Sequence, residues 1–159
     1  GYFYWERPGR FNHIVMWKPF SDEKTSAQRR WAYVLAHEMT HAFTWVYKQP
    51  CKAPLPGWLG EGMAELVARK LVPGVVADNP KDTRTAVSVI DDSPALGALR
   101  YTAARKAVAE LLERDRSAFG EMLLAIKNGA KSRDAIAQCY KLDPQLPSRS
   151  GKKSKTPPQ

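Results

Sequence analysis

Apolar residues recur at helical spacing over two stretches in the first half of the chain. In residues 25–48 they return every three to four positions, which is typical of an amphipathic helix, and Pro50 ends the pattern. A second, more apolar stretch covers residues 58–71 and predicts another helix. Pro54 and Pro56 in the connection indicate a turn that returns the second helix against the first. The first helix is expected to face the core through Trp31, Val34, Leu35, Ala42, Trp45 and Val46.

Upstream of these helices the pattern predicts strands. Residues 1–5 and 11–17 are rich in aromatic and β-branched residues, and Pro8 and Gly9 lie between them, which favours a β-hairpin. The predicted fold class is therefore α+β and mostly helical. An N-terminal β-hairpin is expected to pack as an edge strand on the first helix, with the second helix beside it and a helical C-terminal part.

Downstream, Pro and Gly dipeptides predict a long loop over residues 73–94, with a short strand at 86–90. Ser93 as N-cap and Pro94 at the first helical position predict the start of a third helix, which continues to about Arg114. Its expected core face is formed by Leu96, Leu99, Ala103, Ala107 and Leu111. The sequence predicts two further short helices, at 117–127 and 132–140.

Composition changes this picture mainly at the C-terminal end. The chain has 159 residues, 43% of them hydrophobic, which suits one domain with a modest core. We expect that domain over residues 1–143 and a disordered basic tail over 144–159. Four basic residues at 149–155 account for part of the net charge, so +9 minus 4 leaves +5 on residues 1–148. This distribution gives no clear sign of a nucleic-acid surface, and no apolar run is long enough for a membrane span.

Two cysteines and the first residue bear on the compartment. Cys51 and Cys139 have no CxxC spacing, so they form either one disulfide in a secreted protein or two unrelated thiols. The chain begins at Gly1 rather than Met, which is compatible with removal of a leader. An extracytoplasmic or secreted location is slightly favoured over a cytoplasmic one, and the oligomeric state stays open.

The chemistry of the chain is concentrated in the segment His37-Glu38-Met39-Thr40-His41. Helical residues advance by about 100° each, so the two histidines lie about 40° apart on successive turns and can bind one metal ion. Glu38 points about 60° away from His41, where it can reach a water molecule at the metal without being a ligand. The segment therefore predicts one Zn²⁺ per chain, with Glu38 as general base.

A catalytic zinc needs a third protein ligand, and elimination leaves a carboxylate. The chain has three histidines, of which His13 lies in a predicted strand, and none follows His41. The candidates are Glu61 and Glu65, which are four residues apart and so share one face of the second helix. We expect Glu61 to bind the metal and Glu65 to accept the free ring N–H of a ligand histidine, which fixes its tautomer.

A family resemblance rests on HExxH together with the downstream run WLGEGMAE at 58–65. These segments resemble the gluzincin metallopeptidases, most closely the bacterial peptidase-MA-like proteins, and the likeness extends over about residues 1–140. The matching residues are His37, His41 and Glu61 as zinc ligands, Glu38 as catalytic base and Glu65 as a supporting carboxylate. The resemblance also implies an edge strand that holds an extended peptide. Family members usually carry more upstream sheet, which implies either a missing N-terminal portion or an unusually reduced enzyme.

Hydrolysis also requires a hydrogen-bond donor for the oxyanion. The resemblance implies a downstream tyrosine or histidine, and no histidine is available. Tyr101 matches the family pattern Y-x-x-A before an apolar helix, although a surface tyrosine is the alternative interpretation. Tyr140 is a second candidate, whereas Tyr33 is expected to point the wrong way along the first helix.

The sequence thus predicts a zinc-dependent hydrolase, and more specifically a peptidase that acts on a peptide or protein substrate through a zinc-activated water. Two alternatives stay open. One is a non-catalytic zinc-containing binding or scaffold module, and the other is a zinc-dependent esterase or amidase. Structural zinc sites are usually closed by four protein ligands, whereas catalytic sites keep an open position.

Overall fold

Helices dominate the part of the chain whose structure is described. The computed structural model describes residues 2–4, 13–15, 24–48, 55–78, 89–90 and 101–141. Its helices are α1 (Lys24–Lys48), α2 (Gly57–Leu71), α3 (Tyr101–Arg114), α4 (Arg116–Lys127) and α5 (Ser132–Tyr140). These bounds agree with the predicted helices to within one residue, except at the start of α3, because residues 93–100 lie outside the described part.

The predicted α+β class is wrong, because strands contribute almost nothing to the described structure. Two strands of three residues each, β1 (Tyr2–Tyr4) and β2 (His13–Val15), pair antiparallel with Tyr2 opposite Val15. A pair this short cannot form a layer that covers helices. The predicted N-terminal β-hairpin and its edge strand are therefore corrected as well. The described structure contains only this pair of three-residue strands in their place. The architecture is helical, and the core is made by helices packing on helices.

A third predicted strand is also wrong where it can be compared. Residues 86–90 were expected to form a strand, but Val89 and Ile90 at its end are not extended strand residues. Both are buried and belong to the hydrophobic core. The predicted tail, 144–159, lies outside the described residues.

The described structure tests the predictions about the cysteines and about a membrane span only in part. Cys139 in α5 carries a free thiol, and Cys51 lies outside the described residues. Among the described helices, none combines the length and the apolarity that crossing a membrane requires. That finding agrees with the absence of a predicted membrane span.

The hydrophobic core lies between α2, α3, α4 and α5. Trp58 and Leu59, at the start of α2, are fully buried in it. Trp58 also donates a hydrogen bond from Nε1 to Oγ of Ser132 at 3.3 Å, so its polar atom is satisfied. The other buried members are Val89, Ile90, Ala103, Ala104, Ala107, Val108, Leu111, Ala118, Phe119, Met122, Ile126, Ala135, Ile136 and Tyr140. The predicted core face of α3 is confirmed where it is described, from Ala103 to Leu111.

A single glycine sets the distance between α2 and α3. A Cβ atom added at Gly62 would lie 2.6 Å from the carbonyl oxygen of Ala104 and 2.7 Å from Cγ2 of Val108. Only glycine therefore allows the two helices to approach this closely. Gly62 directly follows Glu61, and Ala104 lies about one turn after Tyr101. The contact brings the start of α3 beside the predicted metal site.

The face of α1 that is buried differs from the predicted one. Trp31, expected in the core, is 42% exposed, and Val34 and Leu35 are only partly buried. The buried side chains described in α1 are Tyr33, Glu38 and Thr40. The prediction is wrong because hydrophobic spacing identifies the most apolar face, whereas α1 packs on α2 through the face that carries its histidines.

Candidate metal centre

Two helices bring three potential ligand atoms together. On successive turns of α1, Nε2 of His37 and Nε2 of His41 lie 3.1 Å apart. From α2, Oε2 of Glu61 lies 3.2 Å from Nε2 of His37 and 3.4 Å from Nε2 of His41. The three atoms form a nearly equilateral triangle. Their side chains are 15% to 24% exposed, so the triangle is shielded by protein but not sealed from solvent.

The size of this triangle fits a zinc ion. Ligands about 2.0–2.1 Å from a tetrahedral zinc stand about 3.3–3.4 Å apart. The separations here are 3.1, 3.2 and 3.4 Å. Two imidazole nitrogens and a carboxylate oxygen are also donor types that zinc prefers. The three residues therefore fit Zn²⁺ by distance and by chemistry.

A contact on the far side of His37 determines which ring nitrogen faces the triangle. Nδ1 of His37 lies 3.4 Å from Oε1 of Glu65, an ionised carboxylate that can only accept, so we assign the ring proton to Nδ1. Nε2 then presents its lone pair toward Glu61 and the second imidazole. Three electron-pair donors at this distance repel one another unless a metal ion or a proton lies between them.

Without a metal ion, a proton would lie between these atoms. Burial by itself lowers the pKa of His37, but hydrogen bonds to Glu61 and Glu65 outweigh it and raise the pKa from 6.5 to about 9. Burial likewise raises the pKa of Glu61, yet hydrogen bonds from His37 and His41 bring it down from 4.5 to about 2. At neutral pH the cluster therefore holds a proton that a divalent cation would displace.

Glu65 is held behind His37 by two further donors. Tyr33, one turn before His37, donates its hydroxyl to Oε2 of Glu65 at 2.6 Å. Arg69, one turn after Glu65, donates from Nε to the same oxygen at 3.3 Å. Burial raises the pKa of Glu65, but these bonds and the one from His37 lower it to about 2. The carboxylate is therefore charged and fixed in place.

Sequence reasoning gives Tyr33 no role and does not single out Arg69, although both support the site. The signal that could have found them is spacing. Tyr33 and His37 are four residues apart, and so are Glu65 and Arg69, so each pair shares a helical face. A side chain one turn from a ligand or its partner is a candidate for the hydrogen-bonded layer around a metal.

Glu38 and Tyr101 lie in the same region. The side chain of Glu38, between the two histidines in sequence, is buried at 7% exposure. Tyr101 begins α3, and its ring centroid is 6.5 Å from that of His37, with the ring planes at 64°. The pKa of its hydroxyl is raised, first by burial and then by the charges of three nearby glutamates. Tyr101 therefore keeps its proton at neutral pH and can donate a hydrogen bond.

Three helices thus bring together the residues that the sequence singles out. These are His37, Glu38 and His41 from α1, Glu61 and Glu65 from α2, and Tyr101 from α3. The other candidate donor, Tyr140, is not among them, since its hydroxyl donates to the carbonyl oxygen of Leu111 in the core at 2.9 Å.

Comparisons with protein-family models, with curated proteins and with solved structures found no match for this chain. The gluzincin resemblance therefore stays a hypothesis. It rests on the two sequence segments that carry it and on the geometry of the residues within them.

Proposed function

We propose that the protein is a zinc-dependent hydrolase, and most directly a peptidase of the gluzincin type. The observation that carries this proposal is the triangle of His37, His41 and Glu61, whose separations and donor chemistry suit zinc. Three protein ligands are typical of catalytic zinc, whereas structural zinc usually has four. Glu38, a buried glutamate that directly follows His37 in sequence, also supports an enzyme over a binding module, because glutamate side chains are rarely buried without a function or a partner.

His37, His41 and Glu61 would hold the zinc ion, which would supply a lowered pKa for a water molecule and polarisation of a substrate carbonyl. Glu38 accepts the proton that the water loses as its oxygen attacks the carbonyl carbon. It then passes this proton to the nitrogen that leaves when the C–N bond breaks. Glu38 is thus the base in the first half of the reaction and the acid in the second.

Tyr101 is the proposed donor to the oxyanion. Its hydroxyl stays protonated because burial and nearby carboxylates raise its pKa. It donates to the carbonyl oxygen as negative charge develops there, which is the point in the reaction where a fixed donor has most effect. Glu65, with Tyr33 and Arg69, keeps the N–H of His37 engaged so that Nε2 remains directed at the metal.

The test is cleavage of a mixed peptide library by the zinc-loaded protein, with and without a chelator. We expect Glu38→Gln to bind zinc at wild-type stoichiometry and to lose at least about 10²-fold in turnover, because only the base is removed. Tyr101→Phe should also keep its zinc and lose about 10²- to 10³-fold, the usual cost of one oxyanion donor. Tyr140→Phe is the matched control, since it removes a buried tyrosine hydroxyl that is engaged in the core.

Turnover by Tyr140→Phe should equal that of the unmutated protein. Unchanged peptide cleavage by Glu38→Gln would contradict the hydrolase mechanism. Zinc-dependent hydrolysis of esters or simple amides, without cleavage of any peptide, would keep the mechanism and change the substrate class. A zinc-loaded protein inert toward all three would favour the binding or scaffold module.

A further inference from the structure

An aspartate that follows α2 connects the hydrogen-bonded residues around the metal site to the helix that carries Tyr101. Oδ1 of Asp78 lies 3.1 Å from Nη1 of Arg69 in α2 and 3.0 Å from Nη2 of Arg105 in α3. Nη2 of Arg105 also donates to Oδ2 at 3.1 Å, so both carboxylate oxygens are engaged. These three residues form what we term the Asp78 bridge.

The Asp78 bridge leads to a proposed zinc ligand. Arg69 directs Nε to Oε2 of Glu65, Nη1 to Asp78 and Nη2 to the carbonyl oxygen of Ala77, at 3.3, 3.1 and 3.2 Å. All three of its nitrogens are used, so its planar guanidinium group has one orientation. Glu65 in turn faces Nδ1 of His37 at 3.4 Å. Contacts of 3.4 Å or less between charged or ionisable groups therefore run from Asp78 through Arg69 and Glu65 to His37.

The Asp78 bridge is too exposed to add much to the stability of the fold, but it can still orient the two arginine side chains. The side chain of Asp78 is 43% exposed, whereas those of Arg69 and Arg105 are 20% and 18% exposed. An ion pair so open to water adds little to the free energy of unfolding. It can still select one rotamer for each of two long arginine side chains. Because Arg105 lies one turn after Tyr101, the same contact also anchors the first turns of α3.

We propose that Asp78 is a positioning residue for the metal site. By binding Arg69 and Arg105 together, it keeps Arg69 on Glu65 and so keeps Nε2 of His37 directed at the metal. The inference rests on the proposed zinc function. The effect travels through Arg69 and Glu65, whereas a direct attraction between the Asp78 charge and the metal would not need either residue.

A double-mutant cycle with zinc affinity as its readout tests this route. Asp78→Ala should weaken zinc binding by about three- to tenfold, less than the roughly 10- to 100-fold loss typical when a direct partner of a ligand histidine is removed. In a Glu65→Ala background the same change should alter affinity by less than about twofold, because the route is already interrupted. Glu113→Ala is the control, since it removes an equal charge from an exposed position at the far end of α3.

Zinc affinity is measured by competition with a chelating dye, and the thermal midpoint of each metal-free variant is recorded beside it. Asp78→Asn keeps one oxygen acceptor, so its affinity should lie between those of Asp78→Ala and the unmutated protein. A full effect of Asp78→Ala in the Glu65→Ala background would indicate direct charge attraction and overturn the positioning role. Wild-type affinity in Asp78→Ala, or the same loss in Glu113→Ala, would overturn it while leaving the zinc function intact. If the unmutated protein bound no zinc, the proposed function itself would fail.

Discussion

α2 contacts α1 along one side and α3 along the other, where Trp58 also reaches Ser132 at the start of α5, and the two contacts differ in kind. Toward α3–α5 the helix presents Trp58 and Leu59, and the core around them is apolar. Toward α1 it presents Glu61 and Glu65, which face two histidines and a tyrosine hydroxyl. Among the residues that the structure describes, no side chain of α1 belongs to the apolar core.

The two contacts should therefore respond to different variables. Apolar burial contributes about 25 cal/mol per Å² and is nearly independent of pH and of metal. The polar contact depends on protons and on the cation between its donor atoms. We infer that the core determines whether α2–α5 fold, and that the metal site determines how firmly α1 packs on them.

The largest expected effect comes from the apolar side. Trp58→Ala should lower the free energy of unfolding by about 3–5 kcal/mol, because a fully buried indole leaves a cavity. Urea denaturation should show the same loss with and without zinc. Leu124→Ala, at a position 52% exposed, is the control and should change stability by about 0.5 kcal/mol or less. Similar losses in the two variants would contradict the proposed core.

The next effect concerns the polar side. Glu61→Ala should abolish zinc binding or weaken it more than about 100-fold, since only two histidine ligands remain. Glu65→Ala should weaken binding by about 10- to 100-fold, because it removes a partner of His37 and not a ligand. Zinc titration calorimetry measures both. The reverse order would mean that ligand and support are exchanged.

A pH titration of the metal-free protein should reveal a smaller effect on α1 packing. The pKa of His37 is raised from 6.5 to about 9, so its contribution to stability is complete below pH 6.5 and is lost as the pH rises through about 9. The pKa of Glu61 is lowered from 4.5 to about 2, so its contribution is present above pH 4.5 and is lost as the pH falls through about 2. The thermal midpoint should fall by a few degrees from pH 6.5 to 9.

Saturating zinc should remove the alkaline part of this dependence, because zinc binds the deprotonated imidazole. His37→Gln is the control, and its metal-free midpoint should vary less over the same range. A metal-free protein with a constant midpoint from pH 6.5 to 9 would show that His37 does not carry the charge assigned to it.

The smallest expected effect comes from the outer hydrogen bonds of the polar contact. Tyr33→Phe removes the hydroxyl that donates to Glu65. Zinc binding should weaken by about two- to fivefold, because a typical hydrogen bond contributes roughly 0.5–1.5 kcal/mol and only part of this free energy affects the metal site. Tyr47→Phe on the same helix is the control, because Tyr47 is 43% exposed. Equal zinc affinities in both variants would assign Tyr33 to packing alone.

The helices and the convergence of the candidate ligand residues could be predicted because both follow from local rules. Proline after residue 48 limits α1, and the side chain of Asp115 accepts hydrogen bonds from two backbone N–H groups at the start of α4. His37 and His41 converge because of helical spacing alone. The fold class could not be predicted in this way. Aromatic residues favour strands locally, but a sheet requires partner strands that local sequence does not specify.

The orientation of α1 and the position of Tyr101 depend on tertiary contacts. Trp31 belongs to the more apolar face, yet Tyr33 is buried, because its hydroxyl has an acceptor on α2. No spacing rule relates Tyr101 to the histidines. Its place beside His37 depends on the close approach of α2 and α3 at Gly62, which no pattern in either helix reveals.

The same approach at Gly62 limits how the molecule can move. Since the Cα of Gly62 faces the backbone of Ala104 without an intervening side chain, α2 and α3 cannot slide past each other by a change of rotamer. Glu61 and Tyr101 therefore belong to one rigid pair, while both histidines belong to α1. A hinge motion would separate α1 from this pair, parting Glu61 from the histidines and leaving Tyr101 beside Glu61. A bound metal ion would oppose this separation, because its proposed ligands come from both α1 and α2.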